Sequence, residues 1–343
     1  MIEATLYKKA GNGIRCTACA RYCYLKNGVT GFCGIRQNID EKLYLLSYGI
    51  ASAAHVDPIE KKPLVHYHPA SLVYSISTTG CNWMCKYCQN FDISQRRAIT
   101  GIPLPPEKVV KEAIENGCNG IAYTYNEPTI FAEYAHDTGI IAHKYGLFNI
   151  FVSNGYETGE AVEYCSTFLD AITIDFKGNG NRDFLRKYAG VINADPIFET
   201  LKLYKKKGIH IEITDLIVPG CGDDLDDGKK LIEWIIDNLG DYVPVHFLRF
   251  HPDYKMMDTD ITPVSILEEH YVMAKKLGLK YPYIGNVPGH KWESTYCHNC
   301  GKLIVERYGF DIVKWNVKNG HCPYCNVRIP ITGGMNNTDT ISE

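Results

Sequence analysis

Between residues 70 and 290 the chain alternates between two hydrophobic periods. Seven short runs rich in β-branched and aromatic residues each read as a buried strand: LVYSIS (72–77), GIAYTY (120–125), NIFVSN (149–154), AITIDF (171–176), IHIEITDLIV (209–218), VPVHFLRF (243–250) and YPYIGN (281–286). Helical stretches fill the gaps. PPEKVVKEAIENG (105–117) carries prolines at its start and glycine at its end, while DPIFETLKLYKKKG (195–208) and TPVSILEEHYVMAKKLG (262–278) close on lysines and then glycine. Strand–helix alternation repeated this often predicts a parallel sheet whose right-handed crossovers curl it toward a barrel.

In such a barrel, reactive groups gather where the strands end. Here the ends are polar. The second run closes on Tyr125, Asn126 and Glu127, and the third on Ser153, Asn154 and Gly155. The fourth closes on Asp175 and Lys177, which share one strand face because the period is two. The sixth leads into Arg249, His251 and Asp253. Any one of these would pass as a loop cap or a solvated charge. Several together argue for a site.

Eleven of the fourteen cysteines fall into three tight sets. CNWMCKYCQN (81–90) follows the first strand and spaces Cys81, Cys85 and Cys88 as C-x3-C-x2-C. Three thiolates are one short of a zinc shell, and they suit a cubane cluster with one iron left open. Cys297, Cys300, Cys322 and Cys325 form C-x2-C-x21-C-x2-C, two knuckles around KLIVERYGF (302–310). They read as a zinc ribbon, with a cluster as the alternative, and its metal should supply the module's folding energy. Cys16, Cys19, Cys23 and Cys33 form C-x2-C-x3-C-x9-C, which fits neither a zinc ribbon nor a ferredoxin run. Zinc and an auxiliary iron–sulfur cluster both stay open there, and Arg15 and Arg21 beside it read as solvated charges. Cys118, Cys165 and Cys221 stand alone as ordinary buried or loop thiols.

Composition narrows the classes. Metal-bound thiolates in a 343-residue chain suit a reducing cytoplasm better than a secreted disulfide scaffold. The amino terminus shows no signal-peptide h-region, and no run approaches the roughly 18 apolar residues of a membrane span. A net charge of -3 offers no polyanion-binding signal, which argues against nucleic acid.

The C-x3-C-x2-C loop, with Tyr87 before its third cysteine, resembles the radical S-adenosylmethionine (SAM) superfamily. DPIEKKPLVHYHPAS, TYNEPT, IDFKG, PVHFLRFHPDYKM and YIGNVPG make the chain similar to the radical SAM enzyme of the AmmeMemoRadiSam system, itself related to pyruvate formate-lyase activating enzymes. HPAS departs from it, since the family more often has glycine before the serine. The resemblance implies a [4Fe–4S] cluster on Cys81, Cys85 and Cys88. It also implies SAM contacts from Tyr87, Asn126, Glu127, Ser153, Asn154, Asp175, Lys177 and His251, with the Tyr87 ring on the adenine. The activity implied is reductive SAM cleavage to a 5′-deoxyadenosyl radical, fed by a donor such as flavodoxin or ferredoxin. The substrate, a small molecule or a protein, is left open.

The expected fold is α/β, a partial (β/α)6 TIM-like barrel with small cysteine-rich metal modules at both ends. Its parts are an N-terminal four-cysteine module (1–45), a surface linker containing DPIEKKPL (46–70), the barrel (71–288), a zinc-ribbon-like module (289–332) and a disordered tail (333–343). Two rivals accompany this reading: a glycyl-radical activating enzyme, and a zinc- or cluster-bearing regulatory protein that binds nucleic acid.

Overall fold

All seven hydrophobic runs become strands of one sheet in the computed structural model, which describes residues 1–96 and 98–334. The strands are β2 (Leu72–Ser77), β3 (Gly120–Tyr123), β4 (Phe148–Ser153), β5 (Ala171–Lys177), β6 (His210–Ile217), β7 (Val245–Arg249) and β8 (Pro282–Gly285). They lie side by side in chain order and are all parallel. β1 (Ala53–Pro58) adds an antiparallel edge beside β2. The two edges, β1 and β8, do not pair with each other, so the hydrogen-bonded sheet stays open. Helices follow the first six parallel strands: α1 (Pro106–Glu115), α2 (Ala132–Lys144), α3 (Gly159–Cys165), α4 (Asp195–Lys207), α5 (Leu225–Leu239) and α6 (Val264–Leu277). α4 and α6 stop at Gly208 and Gly278, whose left-handed backbones close the helices as their sequences predicted. β3 stops two residues before its hydrophobic run does, because Tyr125 adopts φ +66° and turns the chain toward the strand-end loop.

One expectation fails. DPIEKKPL is not a surface linker: its first residues complete β1, and Asp57, Glu60 and Lys62 are buried. The chain then crosses the sheet interior. The Thr173 hydroxyl of β5 donates to the Lys62 carbonyl (2.7 Å), and the Glu212 carboxylate of β6 accepts from Val65 N (2.9 Å) and His66 N (2.7 Å). Just beyond, Ala70 is held at φ +66°, a left-handed conformation that favours glycine, which explains the family's usual residue before the serine. Of the tail expected at 333–343, residues 335–343 lie outside the described residues.

The buried crossing makes stability pH-dependent. Glu212 is fully buried and also faces His210 (3.1 Å) and His246 (2.8 Å). Burial alone would raise its carboxyl, but the bonds from the two histidines hold it far below the ordinary range. His66, between Tyr283 OH (2.7 Å) and the Pro330 carbonyl (3.0 Å), is pushed down by burial to about 3. Both groups resist protonation only when folded. As pH falls below 6.5, the unfolded chain binds a proton at His66 that the folded chain refuses until about 3. Below 4.5 the same holds for Glu212. The contribution of these two groups should therefore be constant above neutrality and be lost progressively from pH 6.5 downward, while buried Glu157, raised to about 8, and Asp215, raised to about 7, act in the opposite direction. Glu212→Gln should lower the Tm near neutrality, and its gap from the wild type should narrow below pH 4.5; a gap that widened on acidification would refute the sign.

Both ends of the chain are docked onto the sheet unit. Residues 2–45 form two three-stranded antiparallel sheets, Ile2–Glu3 with Lys42–Leu45 and Arg36–Ile39, and Tyr7–Ala10 with Gly13–Cys16 and Tyr24–Leu25. Buried Arg36 ties them to α2 through a two-pronged bond to Glu133. At the other end Thr295–Tyr296, Leu303–Tyr308 and Asp311–Trp315 form a third such sheet. Buried Arg307 anchors it, donating to Thr295 Oγ1 (2.7 Å) and the Val65 carbonyl (3.2 Å).

Candidate active site

The strand ends and the C-x3-C-x2-C loop converge on one cleft of about 500 Å³, a size at which small-molecule sites occur. Cys81, Cys85, Cys88, Tyr87, Asn126, Glu127, Ser153, Asn154, Asp175, Lys177 and His251 all line it. A larger hollow of about 770 Å³ lies along α6, bordered by Leu225, Lys291 and Trp292, but it is an open surface groove that contains none of these residues.

Each polar residue has a definite job in the geometry. Asn126 donates through Nδ2 to the carbonyls of Thr78 (2.7 Å) and Gly80 (2.8 Å), which braces the loop just before Cys81. Its Oδ1 is buried in the cleft wall without a hydrogen-bond partner. Glu127 is saturated: Oε1 accepts from Thr129 N and Oγ1 and from Ser153 Oγ, and Oε2 from Asn154 N. Burial raises its carboxyl nonetheless. Asn154 Nδ2 donates to Asn82 Oδ1 (2.8 Å), tying β4 to the cysteine loop. Glu127, Ser153 and Asn154 thus shape the cleft by holding its loops together.

Asp175 and Lys177 point the same way from β5 and form an ion pair at 2.6 Å, with Asp175 also accepting from Thr214. The ammonium faces Cys85 and Cys88; burial disfavours its charge, but the Asp175 carboxylate outweighs burial and raises its pKa. Tyr87 is buried and stacks on Phe184 with centroids 5.8 Å apart, so one ring face is already covered. His251 sits exposed on the rim, 3.3 Å from Asp253. Arg249 turns away from the cleft and donates to the Thr262 carbonyl.

Sequence reasoning missed a second charged wall. Lys61 and Lys62 both bond Asp57 at 2.7 Å, Tyr125 OH donates to the same carboxylate, and Lys62 lies over the Tyr125 ring at 4.7 Å. Burial lowers the Lys62 ammonium to about 8 against the pull of Asp57. Only the adjacent lysines of DPIEKKPL could have signalled it, and nothing local distinguishes them from surface charges.

The thiols fit a cluster. Burial pushes Cys81 up strongly and Cys85 to about 12, so thiolates here need a bound cation to offset their desolvation. Among the described residues, Cys297, Cys300, Cys322 and Cys325 form the one group of three or more potential ligands whose donor atoms all lie within 4.8 Å of each other. Their sulfurs pair at 3.6 and 3.7 Å, close to the ~3.8 Å edge of a tetrahedron with metal–sulfur bonds of about 2.3 Å. Cys81, Cys85 and Cys88 do not form such a group, and a cubane, in which each thiolate takes its own iron, does not require it. The unpartnered Asn126 oxygen and the Lys177 ammonium add an acceptor and a cation on the cleft wall, matching the amine and carboxylate of an amino-acid moiety.

Comparison with known proteins agrees. Residues 75–235 match the model of the radical SAM superfamily. The chain is 45% identical over 336 residues to the protein MJ0808 of Methanocaldococcus jannaschii, covering 96% of this chain and 99% of that one. It is 25% identical over 178 residues to the pyruvate formate-lyase 1-activating enzyme of Escherichia coli, covering 50% and 71%. Among solved structures, a radical SAM methyltransferase from Sphaerobacter thermophilus aligns at 13% identity and TM-score 0.49 over 69% of this chain and 71% of the other. No helix among the described residues is long and apolar enough to cross a membrane. A cleft with an incomplete thiolate set at the ends of parallel strands is thus matched by family, and the chain belongs to the radical SAM superfamily of enzymes.

Proposed function

We propose that this enzyme binds SAM in the strand-end cleft against a [4Fe–4S] cluster held by Cys81, Cys85 and Cys88, and cleaves it reductively. The observation that carries this reading is the convergence of three thiols, the orphaned Asn126 oxygen and the Lys177 ammonium on one cleft. When bound, the cluster supplies one electron that breaks a carbon–sulfur bond of SAM, leaving methionine and a 5′-deoxyadenosyl radical that abstracts hydrogen from the substrate. The chain's own residues bind and orient. Asn126 Oδ1 accepts from the methionyl ammonium, and Lys177 pairs with the carboxylate. Asp175, fixed by Thr214 and Lys177, faces the ribose. Tyr87 offers its remaining face to the adenine, and His251 closes the rim. Cys297, Cys300, Cys322 and Cys325 hold zinc, consistent with their spacing.

The electron comes from a low-potential donor of the flavodoxin or ferredoxin kind. The match to an activating enzyme named for pyruvate formate-lyase favours, as a second reading, a backbone glycine of another protein as the hydrogen donor. The test is anaerobic reconstitution with iron, sulfide, SAM and dithionite, followed by chromatography for 5′-deoxyadenosine. A brown, fully loaded protein that makes none overturns the proposal.

Lys177→Ala should weaken SAM binding about ten- to a hundredfold, the equivalent of one shielded charge-assisted bond of roughly 1.5–3 kcal/mol. Iron content should be unaffected. An unchanged Kd on loaded protein would reduce the Asp175–Lys177 pair to a structural brace.

A further inference from the structure

We propose that Cys16, Cys19, Cys23 and Cys33 hold a second cubane iron–sulfur cluster, packed against the loop that carries Cys81. The four thiols face one enclosed cavity, which Arg21, Phe32, Arg36, Asn82 and Ile130 complete. A single tetrahedral ion would draw the sulfurs to about 3.8 Å from one another. Among the described residues, no three of these four sulfurs lie within 4.8 Å of each other, although the zinc-type set does meet that limit. The same open spacing marks Cys81, Cys85 and Cys88. A cubane explains it, since each thiolate then binds its own iron and the sulfurs stand apart around a shared core. Backbone N–H groups of Ala18, Arg21 and Ile35 point at the sulfurs of Cys16, Cys19 and Cys33, the kind of bond that stabilises thiolate clusters.

The site is joined to the cleft. Arg21 is not the solvated charge its sequence suggested: it lies 3.6 Å over the Phe32 ring, and donates to the carbonyls of Asn82 and Gly190. It is within electrostatic reach of Cys19, Cys23 and Cys81 together. Gly80, at φ +91°, leaves room for the Cys33 carbonyl, which a Cβ there would meet at 2.1 Å. Ala20 N bonds the Tyr156 carbonyl at 3.0 Å, and Cys19 bridges Glu157 beyond the end of β4. With all four corners closed by protein, the group has no open iron for a substrate. Its chemistry is to accept one electron from the low-potential donor and pass that electron on. This role as a relay rests on the SAM-cleaving reading, whereas the site itself rests on the thiols.

The test keeps the N-terminal segment intact. A Cys81→Ala/Cys85→Ala/Cys88→Ala protein, loaded anaerobically with iron and sulfide, should stay brown and retain about four irons and four sulfides per chain, half the wild-type content. Its reduced electron paramagnetic resonance signal should not change on adding SAM. A colourless triple variant, or native protein carrying two zinc ions per chain and iron for one cluster only, overturns the second cluster. Wild-type protein with the doubled iron content but no 5′-deoxyadenosine would instead remove the SAM-cleaving function and leave this site standing.

Discussion

Cys85→Ala protein, loaded anaerobically with iron and sulfide, should form no detectable 5′-deoxyadenosine and should lack the iron of the proposed cleft cluster. In the proposed site three sulfurs would hold the cluster and one iron would carry no protein ligand, so removing one thiolate would leave two anchors on a four-iron core. Ser94 Oγ lies 3.1 Å from Cys88 Sγ, and the Lys177 ammonium offers no lone pair. The fold should survive, because the loop is held independently by Asn126, by Asn154 through Asn82, and by backbone bonds from Met84 and Lys86 to residues 189 and 188. Cys118→Ala is the matched control, a buried thiol remote from the cleft that should keep full activity. Circular dichroism checks folding, iron analysis checks loading and chromatography checks cleavage. Wild-type product levels from the Cys85→Ala protein would remove the cleft thiols from the reaction.

Arg36→Met should cost about 3–5 kcal/mol of stability, the usual result of stranding one partner of a buried ion pair. Arg36 is 1% exposed and Glu133 3%. The guanidinium bonds both Glu133 oxygens and the Ile130 carbonyl (2.7 Å), while Glu133 Oε1 also accepts from Thr5 N (3.0 Å) and Leu6 N (3.3 Å). The pair therefore clamps the N-terminal sheets onto α2, next to the cavity of the four N-terminal thiols. Without arginine, a buried carboxylate keeps two weak backbone donors and must protonate or drag water inside. Denaturant titration should show the loss, and Glu133→Leu added to Arg36→Met should recover much of it, since neither charge then remains. A single substitution that cost less than about 1 kcal/mol would place the pair in effective solvent contact.

Local signals carried much of this protein. Seven β-branched runs became seven parallel strands because strand formation depends on a side chain's own shape and on a period of two. Helix ends were legible at Gly208 and Gly278, where the backbone itself must turn left-handed. The C-x3-C-x2-C loop was legible because its ligands lie within eight residues, so spacing alone limits their geometry.

Tertiary structure decided the rest, wherever the partner lay far along the chain. DPIEKKPL has the charges of a surface linker, yet Tyr125, 68 residues away, helps bury Asp57, and Glu212 binds the backbone that follows, 147 residues on. Arg21 became a bridge only through Asn82 and Gly190. Glu127, Ser153 and Asn154 look alike in sequence as ligand-binding strand ends, but folding also engages them in bracing the cleft: Glu127 accepts from Ser153 Oγ and Asn154 N, and the Asn154 side chain bonds Asn82 and Tyr156. For the two four-cysteine sets, spacing along the chain left zinc and iron–sulfur open at both ends. The distance between sulfurs bears on that choice, and it exists only once the chain has folded: the C-terminal set gathers within 4.8 Å, as a single ion requires, and the N-terminal set does not.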